Sequence, residues 1–283
     1  MSLETRTRIE RAAGARILRA APLGGGCIAE VRRLDLADGR VLVAKVGSGL
    51  LTEAWMLGWL RTRTAAPVPE VHHAEDDLLL IDYIDHDGGL SDAAEADLGR
   101  IVAALHAITA PAFGFERDTM IGPLPQLNPW TASWRDFFRD HRLIAMARTA
   151  LEAGRLPARS MARIETLAGR LARWIDDDAA PALVHGDLWS GNILARGPRI
   201  AGLIDPAIHF AEPEIELAFM TLFGSVGETF FRSYGELRPI RPGFFEARRE
   251  LYNLYPLLVH VRLFGGAYVG QVERTLDRFV GRS

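Results

Sequence analysis

A short segment between residues 183 and 194 carries the side chains best suited to chemistry. It contains the motif His185-Gly186-Asp187, and Asn192 follows five residues after the aspartate. In phosphotransferases, an aspartate in this setting accepts the proton of a substrate hydroxyl, and an asparagine at this spacing reaches a metal ion on the ATP phosphates. The segment therefore predicts a phosphotransferase catalytic loop with Asp187 as the base.

A second acid follows this loop at the end of a short apolar run. Residues 201–204 predict a buried strand, and Asp205 ends it just before Pro206. Magnesium is usually held by one or two carboxylates together with phosphate oxygens. Asn192 and Asp205 are therefore candidate Mg²⁺ ligands. The structural alternative for Asp205 is a turn residue that terminates a strand.

A lysine stands in a third candidate position. Lys45 lies in the mostly apolar run 41–46, which predicts a strand. Because burying an unpaired ammonium is costly, this lysine needs a counter-charge, and Glu53 in the following predicted helix is the candidate. A lysine held by a helix glutamate and directed at the α- and β-phosphates is the arrangement found in kinases. The alternative is a lysine on the solvent face of an amphipathic strand.

A glycine run separates two predicted strands near the N-terminus. Gly24, Gly25 and Gly26 precede Cys27, the only cysteine of the chain. Consecutive glycines let the backbone approach a ligand and aim N–H groups at phosphate oxygens, but an ordinary hairpin loop has the same composition. Cys27 is either a reactive thiol in this loop or an inert small residue. A single cysteine excludes an intramolecular disulfide.

The neighbours of Asp187 each have two interpretations. His185 could act as a base, but it fits better as a residue that braces the loop through backbone contacts. Trp189 could form a wall of an acceptor pocket by stacking on a sugar ring or an alkyl chain, or it could pack in the core. The other histidines lack the spacing of a zinc site such as H-E-x-x-H.

The elements that must position these groups fall into a β-rich part and a helical part. Periodicity predicts strands in the first 85 residues that form a five-stranded antiparallel sheet with one long helix, and a second helix at the N-terminus. Helical spacing dominates the remainder, apart from an extended stretch over 111–129. We expect an α+β chain of two lobes, a nucleotide-binding lobe over 1–85 and a helical lobe with the catalytic loop and acceptor site over 86–283. The predicted strands are 16–23, 30–36, 41–46, 71–74 and 78–84, and the predicted helices of the first part are 3–13 and 50–63.

Composition excludes several classes of protein. The 283 residues are 48% hydrophobic, which is ample for a core, and the formal net charge of −3 gives no sign of a nucleic-acid partner. No apolar run approaches the length of a membrane span, and the polar N-terminus does not resemble a secretory signal. We therefore expect a cytoplasmic protein with neither nucleic acid nor membrane as a partner.

Together these residues resemble the fructosamine kinase family, whose members are also called ketosamine kinases. The string HGDLWSGN at 185–192 is its most specific part, and Asp205-Pro206-Ala207 stands where protein kinases have Asp-Phe-Gly. Segments 119–128, 214–218 and 251–255 extend the resemblance over nearly the whole chain. Segments 208–213 and 259–263 depart from the family pattern, at places where an acceptor would be contacted.

The resemblance implies a protein-kinase-like bilobal fold, shared with aminoglycoside and choline kinases. It also implies phosphorylation of a sugar hydroxyl with ATP and Mg²⁺, at the 3-hydroxyl of a ketosamine on lysine or a free amine, which leads to deglycation. The expected nucleotide contacts are Gly24, Gly25, Gly26, Cys27, Lys45, Glu53 and the backbone of Asp82, Tyr83 and Ile84. The expected acceptor pocket contains Trp189 and Glu214.

Two other functions fit parts of the same sequence. One is a kinase of another hydroxylated amine, such as an aminoglycoside or a choline-like compound, with Glu212, Glu214 and Glu216 as an acidic pocket. The other is a nucleotide-binding module without catalysis, against which the intact set of candidate catalytic residues argues. We expect a monomer, with a dimer as the alternative.

Overall fold

The computed structural model describes residues 1–24 and 29–281. Its first part contains an antiparallel sheet of five strands in the order β1-β2-β3-β5-β4, which confirms the predicted sheet. The strands are β1 (Ile17–Pro22), β2 (Glu30–Leu36), β3 (Val41–Val46), β4 (Val71–Glu75) and β5 (Leu78–Asp82), and the helices of this part are α1 (Leu3–Ala13) and α2 (Leu50–Arg63).

The strand ends differ slightly from the prediction. β5 ends at Asp82 rather than at Ile84. Its neighbour β3 begins at Val41, whose carbonyl accepts the Tyr83 amide at 3.2 Å. Beyond that point the partner strand offers no further residues to pair, so the ladder stops.

The two faces of the sheet pack against different partners, because side chains alternate along a strand. Leu42 and Leu80 belong to a small core with Ile9 of α1. Val43 and Leu79 face the other way and join the larger core, which also holds Leu57 of α2. Lys45 lies two residues after Val43, so it faces α2.

The helices of the first part have clear boundaries. The Ser2 hydroxyl caps α1 by accepting the Thr5 amide at 3.1 Å, and Gly14, with φ 66°, ends the helix in a left-handed conformation. Gly49, with φ 78°, precedes α2. Glu53 lies in the first turn of α2, and Met56 and Leu57 follow on the same face and are buried.

The remainder is mostly helical, as predicted. The extended stretch at 111–129 includes a short hairpin whose turn contains Gly122 at φ 55°. Short antiparallel pairs join Ala182–Val184 to His209–Ala211 and Ile193–Arg196 to Arg199–Leu203. The elements are α3 (Asp92–His106), β6 (Thr119–Ile121), β7 (Leu124–Gln126), α4 (Trp134–Phe138), a π-helix (Arg139–Ile144), α5 (Ala145–Glu152), α6 (Ala158–Ala168), a 3-10 helix (Leu171–Arg173), β8 (Ala182–Val184), β9 (Ile193–Arg196), β10 (Arg199–Leu203), β11 (His209–Ala211), α7 (Glu214–Leu222), α8 (Glu228–Leu237), a π-helix (Phe244–Arg248), α9 (Arg249–Tyr252), α10 (Leu254–Phe264) and α11 (Ala267–Val280).

The β-rich and helical parts are in direct contact. The larger core runs from one face of the sheet through α2 into the helices. The Leu203 amide donates to the Pro67 carbonyl at 2.7 Å, so the strand that leads to Asp205 is bonded to the segment after α2. The lobe boundary at residue 85 stays a prediction. Within residues 1–24 and 29–281, none of the helices has the length and apolar character to cross a membrane.

Candidate active site

Lys45 is buried between two carboxylates. Its Nζ lies 2.6 Å from Oε1 of Glu53 and also contacts Oδ1 of Asp205, with the side chain 7% exposed. Burial alone would lower the pKa of this ammonium, but the charges of Glu53 and Asp205 outweigh it and raise the pKa above its ordinary value. The solvent-face alternative for Lys45 is therefore wrong, and the predicted pair with Glu53 is present.

Asp187 and Asn192 are bonded within one loop. Nδ2 of Asn192 donates to the backbone carbonyl and to Oδ2 of Asp187, both at 2.9 Å. Burial, followed by the negative charge of Asp205, raises the pKa of the Asp187 carboxyl to about 7. The Asn192 carbonyl also accepts the amide of Ile204 at 3.1 Å. The catalytic-loop candidates and Asp205 therefore lie side by side.

Asp205 has an unusual backbone conformation. With φ 54°, it is the one non-glycine residue at positive φ in the part of the chain that the structure describes. A left-handed conformation at such a residue costs about 1–3 kcal/mol and persists only where its surroundings impose it. Here it accompanies a carboxylate that reaches Lys45 from the opposite side of the cleft.

Glu216 anchors the start of the catalytic loop. Its Oε2 accepts the His185 amide at 3.2 Å and its Oε1 accepts the Gly186 amide at 2.7 Å. His106 continues the chain of contacts, with Nε2 3.0 Å from Glu216 and Nδ1 2.8 Å from the Tyr234 hydroxyl. The sequence suggested Glu216 only as part of an acidic pocket, and nothing in its pattern pointed to His106 or Tyr234.

His185 is a bracing residue in this geometry. Its ring is fully buried, and Nδ1 accepts the amide of Asp187 at 3.4 Å. Burial lowers the pKa of the imidazole, so the ring stays neutral. Gly186 next to it has φ 85°, and a Cβ there would lie 2.3 Å from the Ala207 carbonyl oxygen. Only glycine allows this close approach between the loop and the segment after Asp205.

Trp189 covers the backbone of its own loop. A Cβ on Gly191 would lie 2.3 Å from the indole ring, so the ring rests on the glycine. The ring is partly exposed and lines the same cleft as Asp187. This position fits the pocket-wall interpretation rather than packing inside the core.

These groups converge on one cleft of about 760 Å³, a volume typical of small-ligand sites. Val31 and Lys45 line it from the sheet, and Glu53 from α2. Asp187 and Asp205 line it from the helical part. The cleft therefore brings the residues predicted from distant parts of the sequence to one place.

Glu214 is not brought to this cleft, contrary to the prediction. It pairs instead with Arg248, whose Nε lies 2.5 Å from Oε2. Successive helix residues are about 100° apart, so Glu214 and Glu216 of α7 point to nearly opposite sides. Glu216 faces the catalytic loop, while Glu212 contacts Arg241 and the Tyr252 hydroxyl. Two carboxylates of the suggested acidic pocket are thus already paired.

The residues predicted to receive adenine make protein contacts of their own. The side chain of Asp82 accepts the Glu70 amide at 3.0 Å, and its own amide donates to the Glu70 carbonyl. The Tyr83 ring lies 4.4 Å beneath the Arg33 guanidinium. Ile84 packs where a Cβ on Gly202 would clash, at 2.3 Å from its Cδ1. Adenine binding by this backbone stays a prediction.

The phosphate loop also stays a prediction. Gly24 forms a turn after β1. Gly25, Gly26 and Cys27 lie outside the described residues.

The oxygen donors fit a magnesium site of the kinase type. The Asn192 Nδ2 is used by Asp187, which leaves the amide oxygen for a cation. Among residues 1–24 and 29–281, no group of three or more His, Cys, Asp or Glu side chains could hold a metal by itself. A site of one carboxylate and one amide would need phosphate oxygens to complete it, which is the usual situation for Mg²⁺.

Comparison with known proteins decides the family. A family model described as fructosamine kinase matches residues 1–282. The chain belongs to the fructosamine kinase family. A probable ketoamine kinase from Synechocystis sp. is 38% identical over 222 residues, which cover 76% of this chain and 72% of that protein. A chloroplastic protein-ribulosamine 3-kinase from Arabidopsis thaliana is 30% identical over 280 residues, with 93% and 83% covered.

Solved structures confirm the fold class. The crystal structure of a fructosamine-3-kinase candidate from Thermobifida fusca has a TM-score of 0.85 and 32% identity, covering 98% of this chain and 100% of that one. An aminoglycoside phosphotransferase, at a TM-score of 0.68 and 17% identity, shares the fold alone. This fructosamine kinase family member is an ATP-dependent phosphotransferase with the predicted α+β, kinase-like bilobal fold.

Proposed function

We propose that this kinase transfers the γ-phosphoryl group of ATP to the 3-hydroxyl of a ketosamine formed on lysine or another amine. Relatives named as ketoamine kinase and as protein-ribulosamine 3-kinase support the substrate class. The observation that carries the proposal is the contact of Lys45 with Asp205 across the cleft, beside the Asp187–Asn192 pair.

Each residue has a role that its contacts support. Lys45, held by Glu53, binds the α- and β-phosphates. The amide oxygen of Asn192 and the carboxylate of Asp205 would hold Mg²⁺, which would neutralise charge on the phosphates. Asp187 orients the acceptor hydroxyl and takes its proton.

Trp189 forms a wall of the acceptor pocket beside Asp187. On the nucleotide side, the loop of Gly24, Gly25, Gly26 and Cys27 covers the phosphates, and the backbone of Asp82, Tyr83 and Ile84 receives adenine. Most of the rate then comes from positioning and charge neutralisation rather than from covalent chemistry by the protein.

The product of this reaction is a ketosamine 3-phosphate. Elimination of this phosphate as inorganic phosphate and hydrolysis of the bond between C1 and nitrogen then release the amine and a deoxydicarbonyl compound, so the outcome is deglycation. Both ketosamines on proteins and those on free amines fit this proposal. A monomeric state and a cytoplasmic location stay predictions from the sequence.

The alternative acceptor, an aminoglycoside, requires an acidic pocket. Glu214 is paired with Arg248, and Glu212 contacts Arg241. The remaining acid of that group, Glu216, is engaged by the amides of His185 and Gly186. The cleft therefore offers little free negative charge for a polycation.

An acceptor panel tests the proposal. ADP release is measured with ribuloselysine, fructoselysine and an aminoglycoside as acceptors at a fixed ATP concentration. We expect release with the two ketosamines and none above the ATPase background with the aminoglycoside. Turnover of the aminoglycoside alone would contradict the proposed substrate class.

A further inference from the structure

A cluster of rings lies in the outer part of the cleft. Phe223, His260, Phe264 and Tyr268, here called the aromatic mouth, all line it. The His260 ring centroid is 5.0 Å from that of Phe223, 5.7 Å from that of Phe264 and 4.9 Å from that of Tyr268. Phe223 is 39% and Phe264 48% exposed, so both have ring surface available to a ligand.

Three helices bring these rings together. Phe223 follows the last residue of α7. His260 and Phe264 are four residues apart on α10 and therefore share one face. Gly265 and Gly266, with φ 65° and 56°, turn the chain so that Tyr268 in α11 returns to His260.

The aromatic mouth adjoins the catalytic loop. The Ser190 amide donates to the hydroxyl of Ser225 at 2.9 Å. Ser190 follows Trp189, and Ser225 lies two residues after Phe223. The rings therefore continue the acceptor side of the cleft outward from Trp189.

This part of the cleft carries no formal charge. Among the described residues that line the cleft, five have charged side chains. None of the five belongs to the aromatic mouth, and each has a bonding partner near the catalytic loop or Lys45. Glu53 and Asp205 contact Lys45, Asp187 accepts from Asn192, and Glu216 accepts from loop amides. The five are Lys45, Glu53, Asp187, Asp205 and Glu216.

His260 adds a neutral acceptor to the mouth. Its Nδ1 lies 2.7 Å from the Pro256 carbonyl oxygen. A carbonyl only accepts, so Nδ1 carries the proton and Nε2 presents a lone pair. Burial lowers the pKa of this imidazole, which keeps it neutral.

We propose that the aromatic mouth is the subsite for the amine-bearing half of the ketosamine, and that it selects an apolar, preferably aromatic, group over one with a second positive charge. This inference rests on the proposed function. With the sugar hydroxyl at Asp187, the group attached to nitrogen extends away from the base toward the ring faces. Ring pairs contribute about 0.5–1.5 kcal/mol beyond their buried area, whereas a second ammonium would lose hydration here without a carboxylate to pair with.

Three synthetic ribulosamines test this selection, formed from benzylamine, n-butylamine and 1,4-diaminobutane. The last two are of similar length and differ by one ammonium. We expect the KM for the acceptor to rise in the order benzyl, butyl, aminobutyl, with about fivefold between the benzyl and butyl compounds. The KM for ATP is expected to be the same with all three.

A matched pair of variants tests whether the aromatic mouth causes the difference in KM between the benzyl and butyl compounds. Phe264→Ala should raise the KM for the benzyl compound to about that for the butyl compound, with the KM for ATP nearly unchanged. Phe245→Ala is the control, because Phe245 is similarly exposed, at 44%, and lies in a different helix. Phe245→Ala should leave all three KM values as they are.

The outcomes separate the two proposals. ADP release with equal KM for the three compounds, or a Phe264→Ala enzyme that behaves like Phe245→Ala, would overturn the subsite and leave the kinase function standing. Failure of every ribulosamine to release ADP, in an enzyme that binds ATP, would overturn the proposed function and the subsite together.

Discussion

At the scale of single residues, the site depends on charges that are close together. Lys45 contacts two carboxylates, and Asp205 also raises the pKa of Asp187, after the larger effect of burial. Asp205 therefore lies near both a positive and a negative group. A magnesium ion and a triphosphate would supply the charges that redistribute these contacts.

Removing the carboxylate of Asp205 tests the metal role. In Asp205→Ala, Mg²⁺ keeps the Asn192 amide as its only predicted protein ligand, so ATP affinity should lose its dependence on magnesium. Calorimetric titration of ATP with and without Mg²⁺ measures this. We expect at least about tenfold tighter binding with Mg²⁺ for the unaltered chain, which corresponds to about 1.4 kcal/mol, and no difference for Asp205→Ala. An unchanged magnesium effect in the variant would contradict the ligand assignment.

Single residues also show which parts of the site can be found from the sequence. Asp187 and Asn192 could be selected from their shared motif, and Lys45 and Asp205 from their places in or after an apolar strand, and all four line the cleft. The prediction of Glu214 as a pocket residue was wrong. Glu214 lies two residues before Glu216 on α7, so its side chain points away from the catalytic loop that Glu216 contacts. Glu216 was assigned a different role because its partners, the amides of residues 185 and 186, are backbone groups that no side-chain pattern reveals.

At the scale of elements, α2 is fastened to the helical part by aromatic contacts. The Trp55 ring meets Phe115 edge-on at 5.7 Å, and the Arg117 guanidinium lies 4.7 Å from Trp55. Trp59 contacts Phe115 at 5.3 Å. Since α2 also carries Glu53, this packing holds the partner of Lys45 in place.

Loss of one of these rings should weaken both stability and nucleotide binding. Truncating a buried aromatic costs about 3–5 kcal/mol, and Trp55 is only partly buried, so Trp55→Ala should lower the free energy of unfolding by about 2 kcal/mol. ATP affinity should fall several-fold because Glu53 is held less firmly. Urea denaturation and ATP titration measure the two effects. Trp130→Ala is the control, since Trp130 is 51% exposed and lies outside α2. Equal effects of both variants would argue against a specific role of α2.

Elements were well predicted where the pattern was local. α1, α2 and the sheet strands follow from periodicity, glycine turns and capping residues close in sequence. The sequence predicted a strand at 201–204 but not the pairs β8–β11 and β9–β10. Strands of three to five residues have too short a pattern to be recognised, and their pairing depends on the surrounding fold. The junction between the two parts involves contacts such as Leu203 with Pro67, which no local pattern encodes.

At the scale of the whole molecule, buried neutral histidines make stability depend on pH. His209 is 2% exposed, and burial together with the Arg142 charge holds its pKa well below the ordinary value. The unfolded chain binds a proton near pH 6.5 that the folded chain does not. The contribution of His209 to stability is therefore fully present above pH 6.5 and is lost as pH falls.

Replacing this histidine should remove part of that dependence. One proton bound only by the unfolded state gives a slope of about 1.4 kcal/mol per pH unit below pH 6.5. His209→Phe retains a ring against Phe137, 6.2 Å away, and should reduce the slope between pH 6 and 5 by about that amount. Urea denaturation at the two pH values measures the change. Identical slopes for the two proteins would show that His209 is protonated in the folded state.

The proposed phosphoryl transfer by this enzyme requires Asp187 to act as the base. Asp187→Asn preserves the size of the side chain but cannot accept the hydroxyl proton, and general-base catalysis typically contributes about 10²–10⁴-fold. The most direct measurement is ADP release from ribuloselysine by this variant and by the unaltered chain, with ATP affinity measured in parallel. We predict a fall in kcat of at least about 10²-fold with ATP affinity unchanged. Turnover close to that of the unaltered chain would contradict the account.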